Sequence, residues 1–136
     1  MARAAGADAA PFGALRFLYV GSADVGRDLK AYVAAGAQEV WDKTAFGTRV
    51  AAVRPGQGPM VLLAGHRPAG HVLPVYEVAD VKATVKRLAK AGWVIAGEAF
   101  EIPNGPCQLV EDPSGVEMAI FQDARPDPFG PGSTTA

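Results

Sequence analysis

Three side chains in this 136-residue chain have the chemistry to move a proton: His71, Glu77 and Glu117. An imidazole titrates near neutral pH, and a carboxylate rises toward neutrality when it is buried in an apolar wall. His71, Leu73, Val75 and Glu77 alternate onto one face of a strand, and Glu117, Ala119 and Phe121 share a face of another. Each candidate also has a plainer reading. His71 starts its strand after Pro68-Ala69-Gly70, where an imidazole can sit in water or bond the backbone. Glu77 can mark an exposed strand end, and Glu117 can be a solvated carboxylate on a rim. Arg49 is a lone cation among Val50, Ala51, Ala52 and Val53. It could hold an anionic group, or lie exposed on an edge strand. Cys107 is the only cysteine, which rules out an intrachain disulfide, and it reads as a small buried apolar residue. No Ser or Cys has a base beside it in sequence, and Gly56, Gly58 and Gly65 do not lead into a helix as a phosphate loop must.

The elements that must position these groups repeat. Leu15 to Val20 reads as a strand. Asp24 caps a helix with a stripe of Val25, Leu29, Tyr32 and Val33, closed by Gly36. Strands follow at Glu39 to Trp41, Thr48 to Arg54 and Met60 to Ala64. The pattern then starts again with a strand at His71 to Val78, where Pro74 predicts an edge or a bulge. Asp80 caps a helix with a stripe of Val81, Val85, Leu88 and Ala89, closed by Gly92. Three strands follow at Trp93 to Gly97, Cys107 to Glu111 and Val116 to Phe121. The helix caps are offset by 56 residues, and the turn glycines Gly58 and Gly115 by 57. Asp112-Pro113-Ser114-Gly115 forms the last turn, with the φ of Pro113 already near the value its place requires and Gly115 free to take a positive φ. Beyond it Val116, Met118 and Ile120 should meet a helix.

Two βαβββ copies predict an α+β fold, a curved, cup-like mixed sheet with both helices outside. The domain spans 13–123, with modules at about 13–66 and 70–123, and 1–12 and 124–136 read as flexible tails. Hydrophobic residues make up 49%, enough for a packed core, and 13 Lys plus Arg balance 14 Asp plus Glu. That balance excludes a basic nucleic-acid or anionic-membrane surface. The longest apolar run, Met60 to Ala64, is too short to span a bilayer, and the alanine-rich start lacks a signal-peptide core. A cytoplasmic location is expected. Tyr19 shares a face with Phe17 and adds an aromatic edge to the cup. Trp41, Phe46, Trp93 and Phe100 recur after the helices and should fill the core or a subunit interface.

The duplication, with Asp80-Val81 opening the second helix, Ala91-Gly92 closing it and Asp112-Pro113-Ser114-Gly115 before the last strand, resembles the vicinal oxygen chelate superfamily. This is the group of glyoxalase I, bleomycin-resistance proteins and extradiol dioxygenases. The resemblance covers roughly residues 15–122. It implies four positions in the cup that hold a divalent cation in metal-dependent members, one on the first and one on the last strand of each half. They fall at Phe17, Leu62, Leu73 and Ala119, none of which carries a donor atom. No metal and no cofactor are therefore expected. A register slip of two would bring in His71 and Glu117, but Leu15 and Met60 from the first half, leaving two donors.

Three functions compete. The first is a metal-free small-molecule-binding protein holding an apolar or aromatic ligand between Phe17, Tyr19, Arg49, Leu62, His71, Leu73, Glu77, Glu117 and Ala119. The second is a metal-independent lyase, isomerase or cyclase with Glu77, His71 or Glu117 as acid/base. The third is a metal-dependent enzyme of the glyoxalase or dioxygenase type. The resemblance also implies a homodimer.

Overall fold

Two aspartates start the two helices. In the computed structural model, which describes residues 11–45 and 47–125, α1 (Val25–Ala34) and α2 (Val81–Lys90) each follow an extended Asp. Asp24 accepts the Arg27 amide and Asp80 the Ala83 amide, both at 3.0 Å. Each bond satisfies an amide that a helix start leaves open. Gly36 and Gly92, with φ of 107° and 94°, turn the chain out of both helices.

The strands are β1 (Leu15–Gly21), β2 (Gln38–Ala45), β3 (Thr48–Arg54), β4 (Met60–Ala64), β5 (Val72–Glu77), β6 (Val94–Ile102), β7 (Gly105–Glu111) and β8 (Glu117–Phe121). They form one mixed sheet in the order β2-β3-β4-β1-β5-β8-β7-β6, with β1–β4 and β5–β8 parallel. The repeat is legible in the register. Tyr19 pairs with Leu62 in the first half, and Val75 with Ala119 in the second. Those pairs differ by the shifts of 56 and 57 seen in the sequence. The halves join at β1–β5, where Phe17 faces Val75 and Tyr19 faces Leu73, a pairing that maps onto itself when the halves are exchanged.

Both helices cover the outer face. Val25 and Leu29 of α1 pack on Ala51, Val53, Val61 and Leu63, and Val81 and Leu88 of α2 pack on Val110 and Ile120. Met118 and Ile120 meet the α2 cluster as their alternation predicts, whereas Val116 precedes β8 and is half exposed. The concave face holds a third cluster of Phe17, Ala52, Met60, Leu73, Val75, Cys107, Ala119 and Phe121. Burial of that apolar surface is the main drive for closing the two halves together.

Several boundaries differ from expectation. β2 runs eight residues instead of three, because the ladder to β3 carries through Asp42, Lys43 and Thr44, whose side chains give little strand signal. β6 extends to Ile102 through an irregularity between Ala96 and Phe100, where Gly97 has φ 74°. Pro74 lies on a central strand rather than an edge, and the β1–β5 ladder carries an irregularity next to it, between Leu15 and Phe17 opposite Tyr76 and Val75. Pro74 is tolerated because β5 and β8 pair only from Val75 onward. Residues 1–10, Phe46 and 126–136 lie outside the described residues. Inside the segments expected as tails, Phe12 packs on Tyr76 and Trp93, and Ala124 and Arg125 bond Asn104, Pro103 and Glu101. Ordered contacts therefore reach one or two residues past each expected domain limit.

Candidate active site on the concave face

The four positions implied for a cation do converge. Phe17, Leu73 and Ala119 are buried in the concave cluster and Leu62 packs against it. Phe17 and Phe121 stack with ring centroids 5.4 Å apart. Carbon offers no lone pair to a metal, and among the described residues no three His, Cys, Asp or Glu side chains stand close enough to hold an ion. The residues do not fit a divalent cation. They form an apolar floor.

The polar groups lie one pleat away, at the mouth. Tyr19 is two residues past Phe17, His71 two before Leu73, and Glu117 two before Ala119. His71 Nε2 is 3.5 Å from Glu117 Oε1. The connection between β4 and β5 adds His66 and Arg67. Tyr19 Oη bonds His66 Nε2 at 2.9 Å, Arg67 Nη2 bonds His71 Nδ1 at 2.9 Å, and Arg67 Nη2 is 3.7 Å from Glu117 Oε1. Both histidines of the chain thus take part in these contacts, His66 with Tyr19 and His71 with Arg67 and Glu117. Burial pushes the Tyr19 hydroxyl above its ordinary value, with Arg67 opposing and Cys107 adding to the rise. Tyr19 therefore keeps its proton and can donate it in a hydrogen bond. Arg67 Nε is buried without a hydrogen-bond partner.

A close backbone approach builds this cluster. Gly21 N donates to His71 O at 2.9 Å, Gly70 N to Gly21 O at 3.1 Å, and His71 N to Pro68 O at 3.0 Å. A Cβ on Gly21 would collide with the Pro68 carbonyl oxygen. Only glycine lets the 67–71 loop lie against the end of β1. His66 and Arg67 were not singled out by the sequence. Their only signal was a second histidine in the Gly65-His66-Arg67-Pro68 step between the halves.

The other candidates go elsewhere. Glu77 sits at the opposite end of the concave face. Arg16 Nη1 bonds Glu77 Oε1 at 2.7 Å and Asp123 Oδ2 at 3.1 Å. The same guanidinium lies 5.4 and 5.6 Å from the Phe17 and Phe121 ring centroids. Glu77 is thereby tied into an ion-pair network. Arg49 lies on the outer face, bidentate to Asp42 at 3.0 and 2.7 Å, beside Gly26 of α1. It lines an open groove of about 910 Å³ with Asp24, Lys30 and Glu39, away from the cup. Trp41 packs on the concave cluster, Trp93 under α2, and Phe100 is exposed. Cys107 is buried in the cup, which pushes its thiol up to about 11.

Solved structures share this architecture. A methylmalonyl-CoA epimerase matches at TM-score 0.71 and 14% identity, covering 87% of this chain and all of its own. The fold is that of the vicinal oxygen chelate proteins. A second vicinal oxygen chelate structure, the epimerase of Mycobacterium tuberculosis, matches at TM-score 0.70 and 18% identity, over 85% of this chain and 91% of its own. A Streptomyces coelicolor epimerase in complex with 2-nitronate-propionyl-CoA matches at TM-score 0.66 and 15% identity, over 84% and 99%. No family model and no curated protein matches the sequence.

These findings correct the first functional expectation. The expectation of a metal-free protein that only binds an apolar ligand is overturned, because the structures matched at TM-scores of 0.71, 0.70 and 0.66 are methylmalonyl-CoA epimerases, which are enzymes. The cup agrees with that correction: its mouth carries a carboxylate, two imidazoles, a phenol and a guanidinium instead of continuing the apolar wall. Among the described residues no helix is long and apolar enough to cross a membrane.

Proposed function

We propose that this protein is a metal-independent isomerase that shifts a proton next to the carbonyl group of a largely apolar small molecule. The observation that carries this reading is the meeting of Glu117, His71 and Arg67 at the rim of the apolar floor. Glu117 is the base. It takes a proton from a carbon beside the carbonyl, the C–H electron pair becomes the enolate double bond, and the carbonyl oxygen takes the charge. Hydrogen-bond donors preorganised around that oxygen stabilise it. His71 and Tyr19 are placed to supply them. Return of the proton from Glu117 to a different atom of the conjugated enolate completes the isomerisation; an epimerisation instead takes a second proton from an acid on the opposite face of the carbon and leaves the first on Glu117. Phe17, Leu62, Leu73 and Ala119 hold the apolar body and exclude water. The likeness to epimerases supports this class of chemistry.

The test uses protein stripped with a strong chelator. It is incubated in D2O with methylmalonyl-CoA and with smaller branched carbonyl acids, and the α-proton signal is followed by NMR. Loss of that signal, abolished by Glu117→Gln, is expected. Exchange that survives Glu117→Gln, or that appears only after a divalent metal is added, refutes the reading. We take the working unit to be a homodimer, because edge strand β6 leaves Val94 and Phe100 exposed. Sedimentation at micromolar concentration checks this.

A further inference from the structure

The geometry points to Arg67 as the positioning residue that fixes the tautomer of His71 and so decides which ring proton the site presents. This deepens the proposed proton transfer and rests on it for its functional consequence. A guanidinium carries donors only, at every accessible pH. Arg67 Nη2 stands 2.9 Å from His71 Nδ1, so Nδ1 must offer its lone pair. The neutral ring then carries its proton on Nε2. That nitrogen faces Glu117 Oε1 at 3.5 Å, at the outer edge of hydrogen-bond range. The Nε2–H is therefore aimed into the space beside the base without being tightly held by it.

The consequence is a division of labour. Glu117 removes the C–H proton, and the His71 Nε2–H meets the oxygen that gains charge. The opposite tautomer would turn a lone pair toward that oxygen and repel it. Arg67 is well placed to enforce the choice. It stands four residues before His71 on a loop locked to the end of β1 by the Gly21–His71 and Gly70–Gly21 backbone bonds and closed on itself by the His71–Pro68 bond. Its side chain is 20% exposed, so solvent competes weakly for the bond. At 3.7 Å it also adds a positive charge beside Glu117.

Two histidines make the test direct. Nitrogen–proton correlation spectra of 15N-labelled protein at neutral pH report the tautomer of each ring, and His66→Gln leaves His71 as the sole signal. The wild type is expected to show His71 protonated on Nε2 only, with the Nδ1 resonance shifted as a hydrogen-bond acceptor. Arg67→Met should lose that acceptor shift and allow a measurable Nδ1–H fraction. Arg67→Lys, which keeps a donor, should restore the shift at least in part, and a merely structural role would not produce that rescue. A wild-type His71 protonated on Nδ1, or an Nδ1 resonance unchanged by Arg67→Met, overturns the assignment. Deuterium exchange should fall at least about tenfold in Arg67→Met. Loss of exchange in Glu117→Gln tests the reaction separately, so the tautomer assignment can stand while the proposed reaction fails.

Discussion

Glu117 and Glu77 both face the concave side of the sheet, yet they should respond to the same substitution in opposite ways. Glu117 meets His71 Nε2 at 3.5 Å and Arg67 at 3.7 Å, at the mouth. Glu77 is bonded to Arg16 at 2.7 Å, and Arg16 also serves Asp123. Glutamine keeps the size of either side chain and removes its charge and basicity. General base catalysis contributes roughly 100- to 10,000-fold. At about 1.36 kcal/mol per tenfold, Glu117→Gln should raise the barrier by about 2.7–5.4 kcal/mol. Its stability should change little, since the His71 contact is long and all three groups are partly solvated. Glu77→Gln removes one of the two carboxylates on Arg16; the Arg16 and Glu77 side chains are 27% and 37% exposed. A partly exposed pair of this kind contributes about 0.2–1 kcal/mol. The Asp123 contact remains, so Glu77→Gln should lower stability by no more than about 1 kcal/mol and keep exchange within roughly threefold of wild type. Urea unfolding and α-proton exchange in D2O on the same preparations read both quantities. A hundredfold loss in Glu77→Gln with exchange retained in Glu117→Gln would reverse the assignment and sink the reasoning.

Other outcomes follow from single contacts. Asp112 Oδ1 accepts the Ser114 and Val116 amides at 2.8 and 2.9 Å, so Asp112→Ala should lower the urea midpoint by the equivalent of about 1–2 kcal/mol, while Asp112→Asn keeps most of it; equal losses in both would contradict the turn argument. The Arg49 bond holds the Asp42 carboxyl below its ordinary 3.8. A depressed folded value gives stability that is complete above the unfolded value and is lost as pH falls through the folded one. The gap in stability between wild type and Arg49→Met should therefore be constant near neutrality and close below about pH 4; a gap that persists to pH 2 would show that packing, not charge, is responsible. Cys107, pushed up to about 11 by burial, should resist a disulfide reagent at pH 8 in the native state and react fully in denaturant, and rapid native labelling would refute the buried placement. Gly21→Ala should displace the 67–71 loop and reduce exchange together with stability, and unchanged exchange would show that the close approach to Pro68 does not position the site.

The sequence by itself determined the repeated architecture. Capping aspartates at 24 and 80, helix-ending glycines at 36 and 92 and the alternation of β8 are local rules, each satisfied within a few residues. It also determined that the positions implied for a cation, Phe17, Leu62, Leu73 and Ala119, are apolar, because donor chemistry is a property of residue type. The tertiary structure decided which polar groups meet. His71 and Glu117 are 46 residues apart in sequence and come together only because β5 and β8 run side by side in parallel. Glu77 and Arg49 carry suitable chemistry, but Arg16 and Asp42 bind them first, and neither pairing follows from spacing. His66 and Arg67 lie in a loop, where no periodicity announces a facing direction. Their place was fixed by a backbone contact between Gly21 and Pro68, and such a contact between distant segments leaves no local pattern to read.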